Sequence, residues 1–203
     1  MMLGVVEGGT GVPRSRPDGM WRQHDFLTLW LGQTGSVVGS QVTLLALPLT
    51  AALLLRATAL QMGLLGAAET APYVLFSLVA GAWVDGRRRR HILIATDLGR
   101  AALLLTIPIC ALMHALSVGA LLAVAFAVGT LTVLSDIAAV SYLPTLIARH
   151  DLVAGNGALE GGRAAGEIIG PGVGALVGLL TAPLAVLVDA LSFLWSAVLI
   201  WRI

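Results

Sequence analysis

Glu69 stands in the run Leu65-Gly-Ala-Ala-Glu69-Thr-Ala-Pro72, with no basic residue within a helical turn on either side. Asp136 and Asp189 are as isolated, each interrupting a long apolar run without a cation at helical spacing. Glu160, Arg163 and Glu167 follow at intervals of three and four, which sets them on one face of a helix, and Asp97 and Arg100 are three apart. An ionisable group at membrane depth costs several kcal/mol, so it pairs or it functions. Asp97 with Arg100, and Glu160 with Arg163, are therefore expected as structural ion pairs. One arginine cannot neutralise two carboxylates, which leaves Glu167, with Glu69 and Asp136, as a candidate to carry protons. Asp189 is expected to be structural. Gln33, Ser36 and Ser40 add neutral polar groups at helical spacing among Gly32, Gly35 and Gly39. Such a face suits a substrate cavity and suits tight helix packing equally.

Groups so placed need apolar elements to carry them. The chain has 203 residues, 58% hydrophobic and 11% charged, against roughly 25% charged in an ordinary soluble domain. Six apolar stretches, at about 26–55, 59–84, 91–113, 118–147, 152–180 and 183–201, each approach or exceed the roughly 20 residues that cross a bilayer. They must be helices, because none shows the alternating ten-residue pattern of a barrel strand. The expectation is an all-α membrane protein: a six-helix transmembrane domain over residues 25–203 after a disordered cytoplasmic tail over residues 1–24. All twelve basic residues are arginine. With the N-terminus inside, Arg14, Arg16, Arg22, Arg87 to Arg90, Arg149 and Arg202 fall on the cytoplasmic side and Arg56 alone opposite. The positive-inside rule then places both termini in the cytoplasm.

Several chemistries find no support. The lone Cys110 lies inside an apolar run, so there is no disulfide or metal framework. His24, His91, His114 and His150 fall in the tail, at the ends of runs or in a link, which leaves an intramembrane serine hydrolase without a buried base. The link between the fourth and fifth runs is about four residues, too short for the helical extensions of an ATP-driven exporter. The arginine cluster is short and abuts a span, so it anchors to membrane rather than binding nucleic acid. No enzyme activity and no cofactor is expected.

Two motifs are more specific. Between the second and third runs stands Gly81-Ala-Trp-Val-Asp85-Gly-Arg87-Arg88-Arg89-Arg90. A carboxylate at a helix C-terminus opposes the helix dipole and needs nearby cations. In the fifth run Gly157, Gly166, Gly170-Pro171 and Gly174 make a flat small-residue face, with a proline that removes one backbone donor. The first motif resembles the signature loop of the major facilitator superfamily at Gly81, Asp85, Arg89 and Arg90, departing from it at Gly86 and Arg88. The second resembles the superfamily's antiporter motif, departing at Ala175. Phe26-Leu-Thr-Leu-Trp30-Leu-Gly-Gln33, Ala46-Leu-Pro48-Leu and Asp189-Ala-Leu-Ser-Phe193-Leu-Trp-Ser-Ala197 are similar to the macrolide-efflux and siderophore-exporter branch.

The resemblance, which covers about residues 26–201, implies the N-terminal six-helix half of a twelve-span exporter in a bacterial inner membrane. It implies parallel halves built from inverted three-helix repeats, with a C-terminal half as partner, either lacking from a truncated chain or supplied to a half-size transporter. It further implies that Asp85 docks on that second half as a conformational switch and that the glycine face packs across the interface between halves. The implied activity is proton-coupled export of amphipathic small molecules by alternating access. The arginine usual in the family's fourth helix has no counterpart between Val118 and Ile147.

Overall fold

A computed structural model describes Trp21, residues 23–178 and residues 182–203. The tail expected over residues 1–24, with Arg14, Arg16 and Arg22, therefore lies almost wholly outside the described residues. Trp21 packs edge-on against Phe26 and Trp30, at 5.6 and 5.4 Å between ring centroids. The described residues form six long helices: α1 (His24–Leu53), α2 (Ala59–Asp85), α3 (Arg89–Leu112), α4 (Val118–Leu146), α5 (Leu152–Gly178) and α6 (Ala182–Trp201). At 1.5 Å per residue they run about 30–45 Å, enough for a hydrocarbon core of about 30 Å.

Five of them, all but α5, are long and apolar enough to cross a membrane. α5 has 27 residues, a comparable length, but Glu160, Arg163 and Glu167 interrupt it.

Local chemistry sets the ends. Arg56 takes a positive φ of 50°, so α1 stops at Leu53 although the apolar run continues to Leu55. Thr58 and Gln61 then form a reciprocal capping box that starts α2. The Ser117 hydroxyl accepts from the Ala120 amide to start α4. Arg89 and Arg90 belong to α3, two residues ahead of the apolar boundary at His91. A short 3-10 turn, Arg149–Asp151, joins α4 to α5.

Helix packing follows a repeating scheme. α1 packs on α5 and α6, α4 packs on α2 and α3, and α3 packs on α6. Exchanging α1 with α4, α2 with α5 and α3 with α6 maps this set of contacts onto itself. The sequence is thus arranged as two three-helix units that repeat each other's packing. Leu29, Val84, Ile92, Leu93, Ala138 and Ile200 form an apolar cluster at the end where the start of α1, the end of α6 and the α2–α3 loop gather. Val42, Leu104, Ile107, Leu121 and Phe193 belong to a second, larger cluster further along the bundle.

Glycines let the α1 contacts close. A Cβ at Gly32 would stand 3.1 Å from Ser196 Oγ, and one at Gly39 would stand 2.8 Å from Asp189 Oδ1, both on α6. From the other side, a Cβ at Gly166 would lie 2.7 Å from Val37 Cγ1 and one at Gly174 2.8 Å from Leu45 Cδ1. One at Gly170 would run into the Gln41 side chain. The α5 glycine face expected at an interface between halves is therefore spent inside this unit, against α1. Gly157 departs from that face, since a Cβ there would meet nothing within 4 Å, and Pro171 lies on the exposed side without interrupting α5.

Candidate functional site

Between α1, α2, α4, α5 and α6 runs a chain of small cavities that carry polar groups. One, of ≈ 150 Å³, is lined by Ser40 and Thr43 of α1, Glu69 and Tyr73 of α2, Gly129 and Thr132 of α4 and Asp189 of α6. A second, also ≈ 150 Å³, continues past Gln33, Ser36 and Ser40 to Tyr73, Asp136, Arg163 and Glu167. A third, of ≈ 70 Å³, lies beyond it among Gln33, Thr34, Asp136, Glu160 and Arg163. Tyr73 borders the first two and links them.

The α2 backbone can approach α4 here because residue 129 is glycine: a Cβ there would stand 2.9 Å from the Glu69 carbonyl oxygen. That approach brings Tyr73, one turn beyond Glu69 on the same face, to Asp136. The Tyr73 hydroxyl donates to Asp136 Oδ2 at 3.1 Å. Arg163 of α5 reaches the same oxygen, with Nη1 at 3.7 Å, and its Nε donates to Glu167 Oε1 at 3.3 Å. Asp136, which has no partner at helical spacing in its own run, thus finds two on other helices. The pair expected between Glu160 and Arg163 does not form among the described residues; Arg163 turns instead toward Asp136 of α4 and Glu167 of its own helix. Glu167 is accordingly the partner of an arginine rather than an unpaired carboxyl. Glu69 Oε1 is buried with no hydrogen-bond partner among the described residues.

A second, more buried cluster adjoins this one, with Arg100 and Asp189 also bordering the cavities. Asp97 and Arg100 of α3 form an ion pair with side chains 0% and 4% exposed. The guanidinium also donates to Ser135 Oγ at 3.0 Å and lies 4.0 Å over the Phe193 ring. Asp189 is buried beside it; the Ser192 hydroxyl donates to its Oδ1 at 3.2 Å, and its Oδ2 has no partner among the described residues. The Asp189–Ala197 stretch is therefore the α6 face that meets the α1 glycines and the α3 ion pair. In the α1 stretch, Trp30 Nε1 donates to the Ala158 carbonyl of α5 at 2.8 Å.

The signature loop divides its charges. Arg89 Nη2 stands 4.0 Å from Asp85 Oδ1. Arg90 crosses to α6, where Nε donates to the Ile200 carbonyl at 3.2 Å and Nη2 to that of Trp201. A cation on the last carbonyls of a helix satisfies orphan acceptors and the dipole together. Gly81 has open space around it. Sequence reasoning does not single out Tyr73, Thr132 or the destination of Arg90. Tyr73 carries a usable signal, since it lies four residues after Glu69; Arg90 carries none, because its partners are backbone carbonyls of a helix over a hundred residues away.

No characterised protein and no solved structure matches the chain at a significant level. A family model described as transmembrane secretion effector matches residues 19–203, nearly its whole length. The chain belongs to this transmembrane secretion effector family of major facilitator-type transporters.

Proposed function

We propose that this chain forms the substrate-binding half of a proton-coupled exporter of amphipathic small molecules, working by alternating access with a second six-helix half in a bacterial inner membrane. Transport fits the family and the membrane-length helices. The observation that carries the coupling is the link across three helices, Tyr73 of α2 to Asp136 of α4 to Arg163 of α5, on the face of the polar cavities.

The chemistry of that link suits a switch. Asp136 as a carboxylate holds both the tyrosine hydroxyl and the guanidinium, tying α2, α4 and α5 together. A proton on Asp136 removes its charge, so Arg163 keeps only Glu167 and the α4–α5 tie weakens. Helices bound by a breakable ion pair have two arrangements whose balance a proton biases. Glu69 is a further protonatable group in the same cavity chain, one turn from Tyr73. Gln33, Ser36 and Ser40 supply neutral donors and acceptors for substrate on the opposing α1 wall, and Leu44, Leu47, Ala125 and Val128 supply its apolar contact. An amphipathic substrate meets both kinds of surface.

The test is dye efflux from energised cells expressing the chain, alone and together with a C-terminal half, with and without a protonophore. Efflux abolished by the protonophore and by Asp136→Asn supports the reading. Protonophore-resistant efflux, or full pH-driven efflux by both Asp136→Asn and Glu69→Gln, removes it.

A further inference from the structure

Of the four consecutive arginines at the α2–α3 loop, two are committed within the protein: Arg89 faces Asp85 and Arg90 caps α6. The other two are not. Arg87 lies with its guanidinium carbon 4.3 Å over the Trp83 ring, and Arg88 makes no ion pair among the described residues; both side chains are exposed. Together with His91 they border a cavity of ≈ 660 Å³ between the end of α2 and the facing sides of α3 and α4. That volume lies within the roughly 300–1,000 Å³ typical of small-ligand sites. Below the basic mouth the walls turn mainly apolar, with Ile92 and Ala95 on α3 and Leu131 and Leu134 on α4; the polar side chain there, Thr96, spends its hydroxyl on the Ile92 and Leu93 carbonyls of its own helix.

We propose that this groove binds one anionic phospholipid, its phosphate against Arg87, Arg88 and His91 and an acyl chain along Ala95, Leu131 and Leu134. The shared chemistry of the mouth is phosphate recognition, and a free phosphate would use the same donors. The apolar wall decides for the lipid: a hydrated free anion gains nothing from Ala95, Leu131 and Leu134, whereas an acyl chain covers all three. Position agrees. The groove opens at the end of two membrane-length helices, where a headgroup lies beside an interfacial tryptophan such as Trp83. Asp85, the acidic group of this loop, is engaged by Arg89 and does not line the groove. A basic pocket between transmembrane helices is a physically ordinary place for such a headgroup, and the inference stands apart from the transport cycle proposed above.

The experiment uses the detergent-purified chain titrated with phosphatidylglycerol, with phosphatidylcholine of the same acyl chains, and with inorganic phosphate. Bound lipid is counted by native mass spectrometry. One saturable phosphatidylglycerol site, tighter than any phosphatidylcholine binding, is expected. Each arginine near a membrane surface contributes about 1 kcal/mol, so Arg87→Gln with Arg88→Gln should weaken that site about thirtyfold. Ala95→Trp, an exposed position that keeps both arginines, should block it by filling the acyl wall. Equal binding of the two lipids, an unaffected double variant, or displacement by inorganic phosphate at matched concentration would overturn the proposal.

Discussion

At the scale of single residues, the two polar clusters differ in what they tolerate. Arg100 and Asp97 are buried against each other, and Arg100 also donates to Ser135, so removing one partner strands the other. Arg100→Gln should cost about 3–5 kcal/mol, and Asp97→Asn added to it should recover most of that loss, because the stranded charge is gone. Unfolding in detergent, followed for both single variants and the double, checks this. Tyr73 and Asp136 line the cavities. Tyr73→Phe should cost only about 1 kcal/mol in stability yet slow efflux several-fold, since the ring stays while the tie from α2 to Asp136 goes. In an Asp136→Asn background the same substitution should add little further slowing. Additive losses in that double-mutant cycle would mean that the two side chains act separately.

At the scale of elements, the decisive feature is which glycines are crowded. Gly166 and Gly170 sit against α1, whereas Gly157, in the same sequence motif, faces open space. Gly166→Val should therefore force α1 and α5 apart at a cost of about 1–3 kcal/mol. Gly157→Ala should be neutral or stabilise by up to about 1 kcal/mol by restraining the unfolded backbone. Thermal unfolding of the two variants side by side separates crowding from general glycine effects. Much of this architecture was legible in the sequence. The apolar runs marked out six helices, and Asp97–Arg100 could be paired because helical spacing is local. Asp136 could not be, since its partners come from α2 and α5 and spacing within one helix says nothing about neighbours across a bundle. The same limit sent the α5 glycines to the wrong surface: their periodicity announces a close approach without naming the helix that approaches.

For the whole molecule, the packing scheme leaves α2 and α5 in equivalent places, each held on one side by a central helix, α4 or α1, and little contacted by the others. Their outward faces are apolar. Val74 and Leu78 of α2 are 85% and 89% exposed, and Ile168 of α5 is 80% exposed. Only 11% of the apolar stretch of α2 is buried, against 50% for α3. In a bilayer an apolar face needs no protein cover, so exposure alone does not choose between lipid and a second half. The polar cavities do. They open between α1, α2, α4 and α5, and an exporter must close that side against something other than lipid, because hydrocarbon cannot satisfy Asp136, Arg163 and Glu167. A second half should therefore seat on α2 and α5, flanking the cavities, and leave α3 and α6 to lipid. Single cysteines at Leu78 or Ile168, in a Cys110→Ser background, should crosslink to a cysteine-bearing second half in membranes. Cysteines at Leu98 of α3 or Trp195 of α6, which are 48% and 58% exposed, should label with lipid-soluble probes and form no such bridge. Crosslinks concentrated at Leu98 and Trp195 would place the partner on the wrong side of the bundle and leave the polar cavities facing lipid, a geometry in which Asp136 could not serve as a coupling group.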